Sequence, residues 1–140
     1  MGAKSDAIGK RMAAELERIV KSIALDVDRR LRRSPEAGGT PVGTGHVRAN
    51  WVPSVGAPFA GVVAGNSSGP HDAGVTAVEG YKLEQGPAFV TNNVPYILEL
   101  NDGRSDQEPA GFVERAIDES VQEARSKFGG AIDVTIGRQR

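Results

Sequence analysis

The sequence predicts an α+β domain: a long N-terminal helix, an antiparallel strand meander, a second C-terminal helix and a final strand, with the helices packed on one face of the sheet. Three observations carry that prediction. Ile8, Met12, Leu16, Ile19, Ile23, Val27 and Leu31 recur at spacings of three or four and mark one amphipathic helix. The middle of the chain holds short β-prone segments broken by Gly, Pro, Asn and Ser. Phe112, Ala116, Ile117, Val121, Ala124 and Phe128 then form a second helical stripe, and Ile132, Val134 and Ile136 alternate as a half-buried strand does.

Each element follows in order within a single domain of residues 1–140. The first helix occupies residues 1–33 and runs from about Ser5, a suitable cap with Asp6 in the first turn. Arg29, Arg30, Arg32 and Arg33 crowd its far end, where cations complement the helix dipole, and Ser34-Pro35 stops it. Those arginines read as a solvated helix end; contacts to an acidic neighbouring subunit or to nucleic acid are the alternatives. Glu36 to Gly45 is a loop. The meander, residues 40–100, takes in Val47 to Val55, Pro58 to Ala64, Val75 to Leu83 and Pro87 to Asn92, with a long polar hairpin over 66–86. Tyr96 to Leu100 is a short apolar run and Asn101 to Glu108 a polar loop. Pro109 suits a first helical turn, so the second helix spans 109–128 and ends at Gly129-Gly130; the last strand covers 131–137.

Composition narrows the function classes. The 140 residues are 39% apolar and 25% charged, ordinary for a soluble globular domain. The chain has no cysteine, which removes disulfides, thiolate metal sites and a cysteine nucleophile. A net charge of −1 exerts no general pull on nucleic acid or an acidic membrane. No apolar run approaches the roughly 20 residues of a membrane span. The N-terminus lacks the apolar core of a signal peptide, and Met1-Gly2 is followed by Asp6 where myristoylation wants Ser or Thr. A soluble intracellular product is expected.

No catalytic or metal constellation emerges. His46 and His71 lie apart in Gly-rich loops without ligand-like spacing. Glu99, Asp102, Asp106 and Glu108 alternate with Gly103, Arg104 and Ser105, as solvated charge in a surface loop does. Ser67 and Ser68 have no nucleophile-elbow context, and Gly38-Gly39 and Gly43-x-Gly45 lack the lysine of a phosphate loop. No enzyme, cofactor or metal is expected.

Two segments are unusual without being catalytic. Thr40-Pro-Val-Gly-Thr-Gly-His-Val-Arg-Ala-Asn-Trp51 runs from a tight turn into a predicted strand. Asn92-Asn-Val-Pro-Tyr-Ile-Leu-Glu-Leu-Asn-Asp-Gly-Arg-Ser105, closed by Pro109-Ala-Gly-Phe112, runs from strand through loop into helix. Together they resemble the tail-completion proteins of long-tailed bacteriophages, the group that includes minor tail protein Z and its neck-protein relatives. In that group Thr-Pro-Val-Asp-Thr-Gly-x-Leu-Arg-x-x-Trp precedes the first strand. An Asn-x-x-Pro-Tyr…Leu-Glu-x-Gly-x-Ser…Pro-Ala-Gly pattern precedes the C-terminal helix. This chain departs in carrying Gly43 for Asp, His46 for Arg or Lys, and Val47 for Leu; the 66–86 region is its own.

The residues make sense as markers of fold and interface. Pro41 fixes a turn and Gly45 can take a positive φ. Arg48 can pair with Glu99 or Asp102, or reach a neighbouring subunit. Trp51 suits a core or an interface. Pro95-Tyr96 positions Ile97-Leu98, Gly103 permits a sharp loop, Ser105 belongs to the loop motif, and Pro109 with Gly111 opens the helix. The resemblance implies a structural virion protein assembled in the host cytoplasm. It would form a homo-oligomeric ring, hexameric by expectation, at the head-proximal end of the tail. Its partners would be the tail tube protein and the head connector or stopper proteins. Genomic double-stranded DNA would pass through the lumen without specific binding, and the 66–86 hairpin could reach over a neighbour. A head-side connector or stopper is the alternative placement, and a nucleic-acid-binding module built on Arg29 to Arg33 a third class.

Overall fold

The first apolar stripe folds as one helix, α1 (Ala3–Leu31), whose 29 residues span roughly 43 Å at 1.5 Å per residue. In this computed structural model the described residues are 2–41, 45–65, 69–103 and 110–129. α1 begins earlier than Ser5. Gly2 takes the cap position, the Ser5 amide donates to the Gly2 carbonyl at 3.1 Å, and no side chain caps the end. The helix ends at Leu31, with Pro35–Ala37 forming a 3-10 turn just beyond.

After α1 the predicted meander holds more helix than strand among its described residues. A single turn, α2 (His46–Ala49), precedes β1 (Val52–Val55); α3 (Asp72–Glu79) and a 3-10 turn at Leu83–Gln85 precede β2 (Ala88–Thr91); α4 (Ile97–Asn101) and α5 (Phe112–Phe128) follow. The two strands pair antiparallel, Val52 opposite Thr91 and Val55 opposite Ala88. The α+β class, the long N-terminal helix and the C-terminal helix are therefore present, and among the described residues a two-stranded antiparallel sheet stands in place of the meander.

Three strand assignments give way for physical reasons. In Val47 to Val55, Gly45 at φ 86° starts a helical turn that the Ala49 amide closes onto the Gly45 carbonyl, so β1 begins only at Val52. In Pro58 to Ala64 the side chain of Asn50 satisfies the backbone instead of a ladder. Its Oδ1 accepts from the Val63 amide at 2.6 Å and its Nδ2 donates to the Val63 carbonyl at 3.1 Å. Val75 to Leu83 is mostly α3, capped by His71, whose Nδ1 accepts from the Gly74 amide at 3.1 Å. The described part of the 66–86 hairpin is thus a helix laid on β1. A Cβ at Gly74 would sit 2.2 Å from the Pro53 carbonyl oxygen, so only glycine lets α3 approach so closely. Asn66 to Ser68, and the predicted strand over 131–137, lie outside the described residues.

α1 is the beam on which the rest is assembled. α5 runs antiparallel along it, with Phe112 beside Val27 and Leu31 at one end and the Phe128 ring 5.7 Å from the Arg18 guanidinium at the other. α1 also packs against both strands and against α3. Val27, Leu31, Trp51, Phe112 and Ala116 form the core, with Ile23, Val90, Ile97, Leu100, Val113 and Ile117 packed around it. The predicted stripe serves this core with only its second half: Val27 and Leu31 are 8% and 1% exposed, whereas Ile8 and Met12 are 56% and 61% exposed.

Phe112 is wholly buried at the point where α5, α1 and Trp51 meet. Phe112→Ala should cost about 3–5 kcal/mol, the sum of lost transfer energy and the cavity left behind. Urea denaturation followed by Trp51 fluorescence would register it as a lower midpoint with an unchanged slope.

Candidate functional site

The two unusual segments meet in space. Asn92 Nδ2 donates to the Val47 carbonyl at 2.9 Å, and its Oδ1 accepts from the Val94 amide at 3.1 Å, which ties the second segment to the first. Trp51 and Phe112, the last residues of the two segments, share the core. Thr40 is fully buried, and its Oγ1 accepts from the Trp51 Nε1–H at 2.7 Å, so the first segment satisfies its own tryptophan.

The second segment is held by amides. Asn93 Nδ2 donates to the carbonyls of Phe59 and Gly61 at 2.7 and 2.9 Å. Asn101, 3% exposed, accepts from the Val113 amide at 2.9 Å through Oδ1 and donates to both Glu114 carboxylate oxygens. Its own carbonyl accepts from the Gly111 amide at 2.7 Å. α5 therefore receives its N-terminal cap from a remote residue, with Gly111 in the cap position at φ 85°. The helix opens at Phe112 and not at 109; Pro109 and Ser105 lie outside the described residues.

The predicted site residues divide accordingly. Pro41 is buried beside Thr40, and Gly45 has the positive φ expected of it. Gly103 has φ 99°, and a Cβ there would stand 3.2 Å from that of Ala110, so the tight turn is real. Pro95 and Tyr96 are exposed, Tyr96 at the start of α4. Glu99 is exposed on α4, and Arg48 forms an ion pair with neither Glu99 nor Asp102. Arg48 is half-buried, and its Nε has no acceptor among the described residues. The Glu36 carboxyl is held below its ordinary value by a hydrogen bond from its own backbone, by Ser34, and last by the charge of Arg48.

A groove of about 780 Å³ is lined by Trp51 of the first segment, by Asn92, Asn93, Ile97, Leu98 and Asn101 of the second, and by Val90, Val113, Glu114 and Ile117. Each of its three asparagine side chains is engaged with the protein itself, as described above. Among the described residues no group of three His, Asp or Glu side chains could hold a metal ion. His46 Nδ1 stands 3.0 Å from the Gly65 carbonyl and the His71 ring lies 5.6 Å from Phe59, so both histidines are occupied locally.

Two of the arginines at the end of α1, Arg30 and Arg32, are drawn into the protein, with side chains 14% and 7% exposed. Arg30 Nε binds Asp26 at 2.7 Å, and its terminal nitrogens reach Glu119 and Glu123 on α5 at 2.6 and 2.7 Å. Arg29 also pairs with Asp26. Arg32 Nε binds Asp28 at 3.1 Å, and the same guanidinium donates to the carbonyls of Trp51 and Gly69. Burial pushes the Asp28 carboxyl above its ordinary value, against the opposing charge and hydrogen bond of Arg32. Arg30 is held above its own ordinary value first by the Asp26 carboxylate. Cations spent in this way clamp α1 to α5 and to β1. They offer little to a phosphate backbone.

For Asp26, burial raises the carboxyl, but hydrogen bonds from Arg30 and Arg29 outweigh it and leave the group below its ordinary 3.8. A depressed folded value means stability present above the unfolded value and lost as pH falls through the folded one. Asp26→Asn should therefore cost about 1–2 kcal/mol at neutral pH, and its deficit against the unmodified chain should close below pH 3.8. Thermal unfolding measured across that range checks it. No family model, no curated protein and no solved structure matches the chain.

Proposed function

We propose that this chain is a structural virion protein of a tailed bacteriophage. In this reading it forms a ring at the head-proximal end of the tail that completes the tail and lets it join the DNA-filled head. The observation that carries the reading is the convergence of the two segments that resemble tail-completion proteins. They meet through the Asn92–Val47 hydrogen bond and the shared core of Trp51 and Phe112.

The physical character of that meeting point supports a building block. Its asparagines latch loops and cap a helix, and its tryptophan fills the core, so the residues of the motifs are spent on shape. A closed ring needs two different complementary surfaces on each copy. The chain has a groove on one part and an exposed apolar helix face, Ile8, Met12 and Leu16, on another. A net charge of −1 suits a conduit that DNA must leave quickly, because tight phosphate contacts would hold it.

Deleting the gene from the phage that carries it tests the reading. Lysates should then contain filled heads and separate tails, or tails of uncontrolled length, and electron microscopy would count them. Normal infectious particles in the deletion strain would sink the proposal.

A further inference from the structure

α3 is held at its start by a histidine. His71 Nδ1 lies 3.1 Å from the Gly74 amide nitrogen, and a backbone amide can only donate, so Nδ1 must present its lone pair. An imidazolium carries a proton on both ring nitrogens and has no lone pair. A charged His71 therefore cannot make this cap, and the positive end of the α3 dipole adds to its repulsion. The usual capping residues Asn, Ser and Thr have no such weakness, because their oxygens keep accepting in acid.

The capped turn is also where α3 meets the sheet. Gly74 is buried so close to β1 that a Cβ would stand 2.2 Å from the Pro53 carbonyl oxygen, and Val78, one turn on, is 0% exposed. The amide that His71 receives belongs to the residue in that close contact. Half-buried, the ring itself remains within reach of a proton.

The charges around the ring offer it a second partner. On α1, Asp28 is 3% exposed; Arg32 binds its Oδ2, and its Oδ1 has no donor among the described residues. Burial keeps this carboxyl above its ordinary value, although the charges of Arg32 and His71 act the other way. One more donor at Oδ1 would stabilise the carboxylate. Arg32 opposes a second cation, but its guanidinium is already committed to Asp28 and to the carbonyls of Trp51 and Gly69. Arg29 is paired with Asp26. β1, Val-Pro-Ser-Val, carries no charge, and the ring that faces His71 at 5.6 Å is Phe59. Asp72, in the first turn of α3, is exposed, where water screens it.

We infer that His71 is an acid-sensitive latch. Neutral, it caps α3 and seats the helix on β1; protonated, it gives up the Gly74 amide, donates to Asp28 Oδ1, and lets α3 loosen from the sheet. The capped state excludes a proton that the released state binds, so acid favours release. The latch works within one chain and does not depend on the ring reading.

Hydrogen exchange on the purified full chain tests it, with rates corrected for intrinsic exchange and compared at about pH 7.5 and about pH 5, the interval in which histidines change charge. Protection of the α3 amides should fall roughly fivefold to tenfold in acid relative to those of α5, the size of effect expected for a lost cap. His71→Asn keeps an acceptor that does not titrate, so its α3 should stay protected at both values. His71→Ala should be weakly protected at both. Asp28→Asn removes the receiving charge and should move the loss to lower pH. Protection of α5 verifies that each variant is folded, and the two His71 variants decide the matter if Asp28→Asn does not fold.

An equal fall in His71→Asn would overturn the latch, since the proton would then act elsewhere. Unchanged α3 protection in the unmodified chain would also overturn it. A loss in Asp28→Asn at the same pH as in the unmodified chain would overturn the exchange of partners.

Discussion

Burial of Trp51 is the constraint around which the structure is arranged. The two strands of the described sheet have too little surface to hold themselves together, so their position depends on the helices that cover them. Trp51 sits immediately before β1 and inserts between the end of α1 and the start of α5, touching the cluster of Val27, Leu31, Phe112 and Ala116. An indole in that setting brings an N–H that must be satisfied, and the buried hydroxyl of Thr40 accepts it. The loop that follows α1 is thereby fixed by the same residue that anchors the sheet. Arg32 adds a second tie by donating to the Trp51 carbonyl from the cap position just after the helix.

Around that anchor, polar side chains perform work that secondary structure performs elsewhere. Asn50, Asn92, Asn93 and Asn101 satisfy loop carbonyls and amides that have no ladder partner. Arg30 joins α1 to α5 through two glutamates while its third partner, Asp26, holds it along its own helix. The Glu119 and Glu123 side chains are about half exposed, so their Coulomb gain is screened; the geometry they impose on the helix pair matters more than their energy. Asp28 shows the opposite balance, a carboxylate buried at a cost that Arg32 only partly offsets.

The parts of this fold that were legible in the sequence are those encoded by local periodicity. The stripes of α1 and α5 follow a helical repeat strong enough to locate both elements within a few residues. What the repeat could not disclose is how far along α1 the body extends, since the exposure of Met12 and the burial of Leu31 depend on where α5 ends. α3 was hidden because Val75 and Val78 are β-branched, its cap is a histidine instead of Ser or Asp, and Gly74 reads as a breaker. Only the 2.2 Å that would separate a Cβ from the Pro53 oxygen explains that glycine. The partners of Arg30 stand 89 and 93 residues away in sequence, beyond any local signal. Within the candidate site, Gly45, Gly103 and Trp51 could be assigned from residue type, whereas the roles of the asparagines emerge only from the fold.

Under the proposed function, this chain is a building block whose two characteristic segments shape a surface for repeated assembly. Cryo-electron microscopy of the virion neck tests that directly. The account predicts a closed ring of copies of this chain between the tail tube and the head connector, with an open lumen on the DNA path. A neck fully occupied by other chains, or this chain found there as a single copy off the axis, would contradict it.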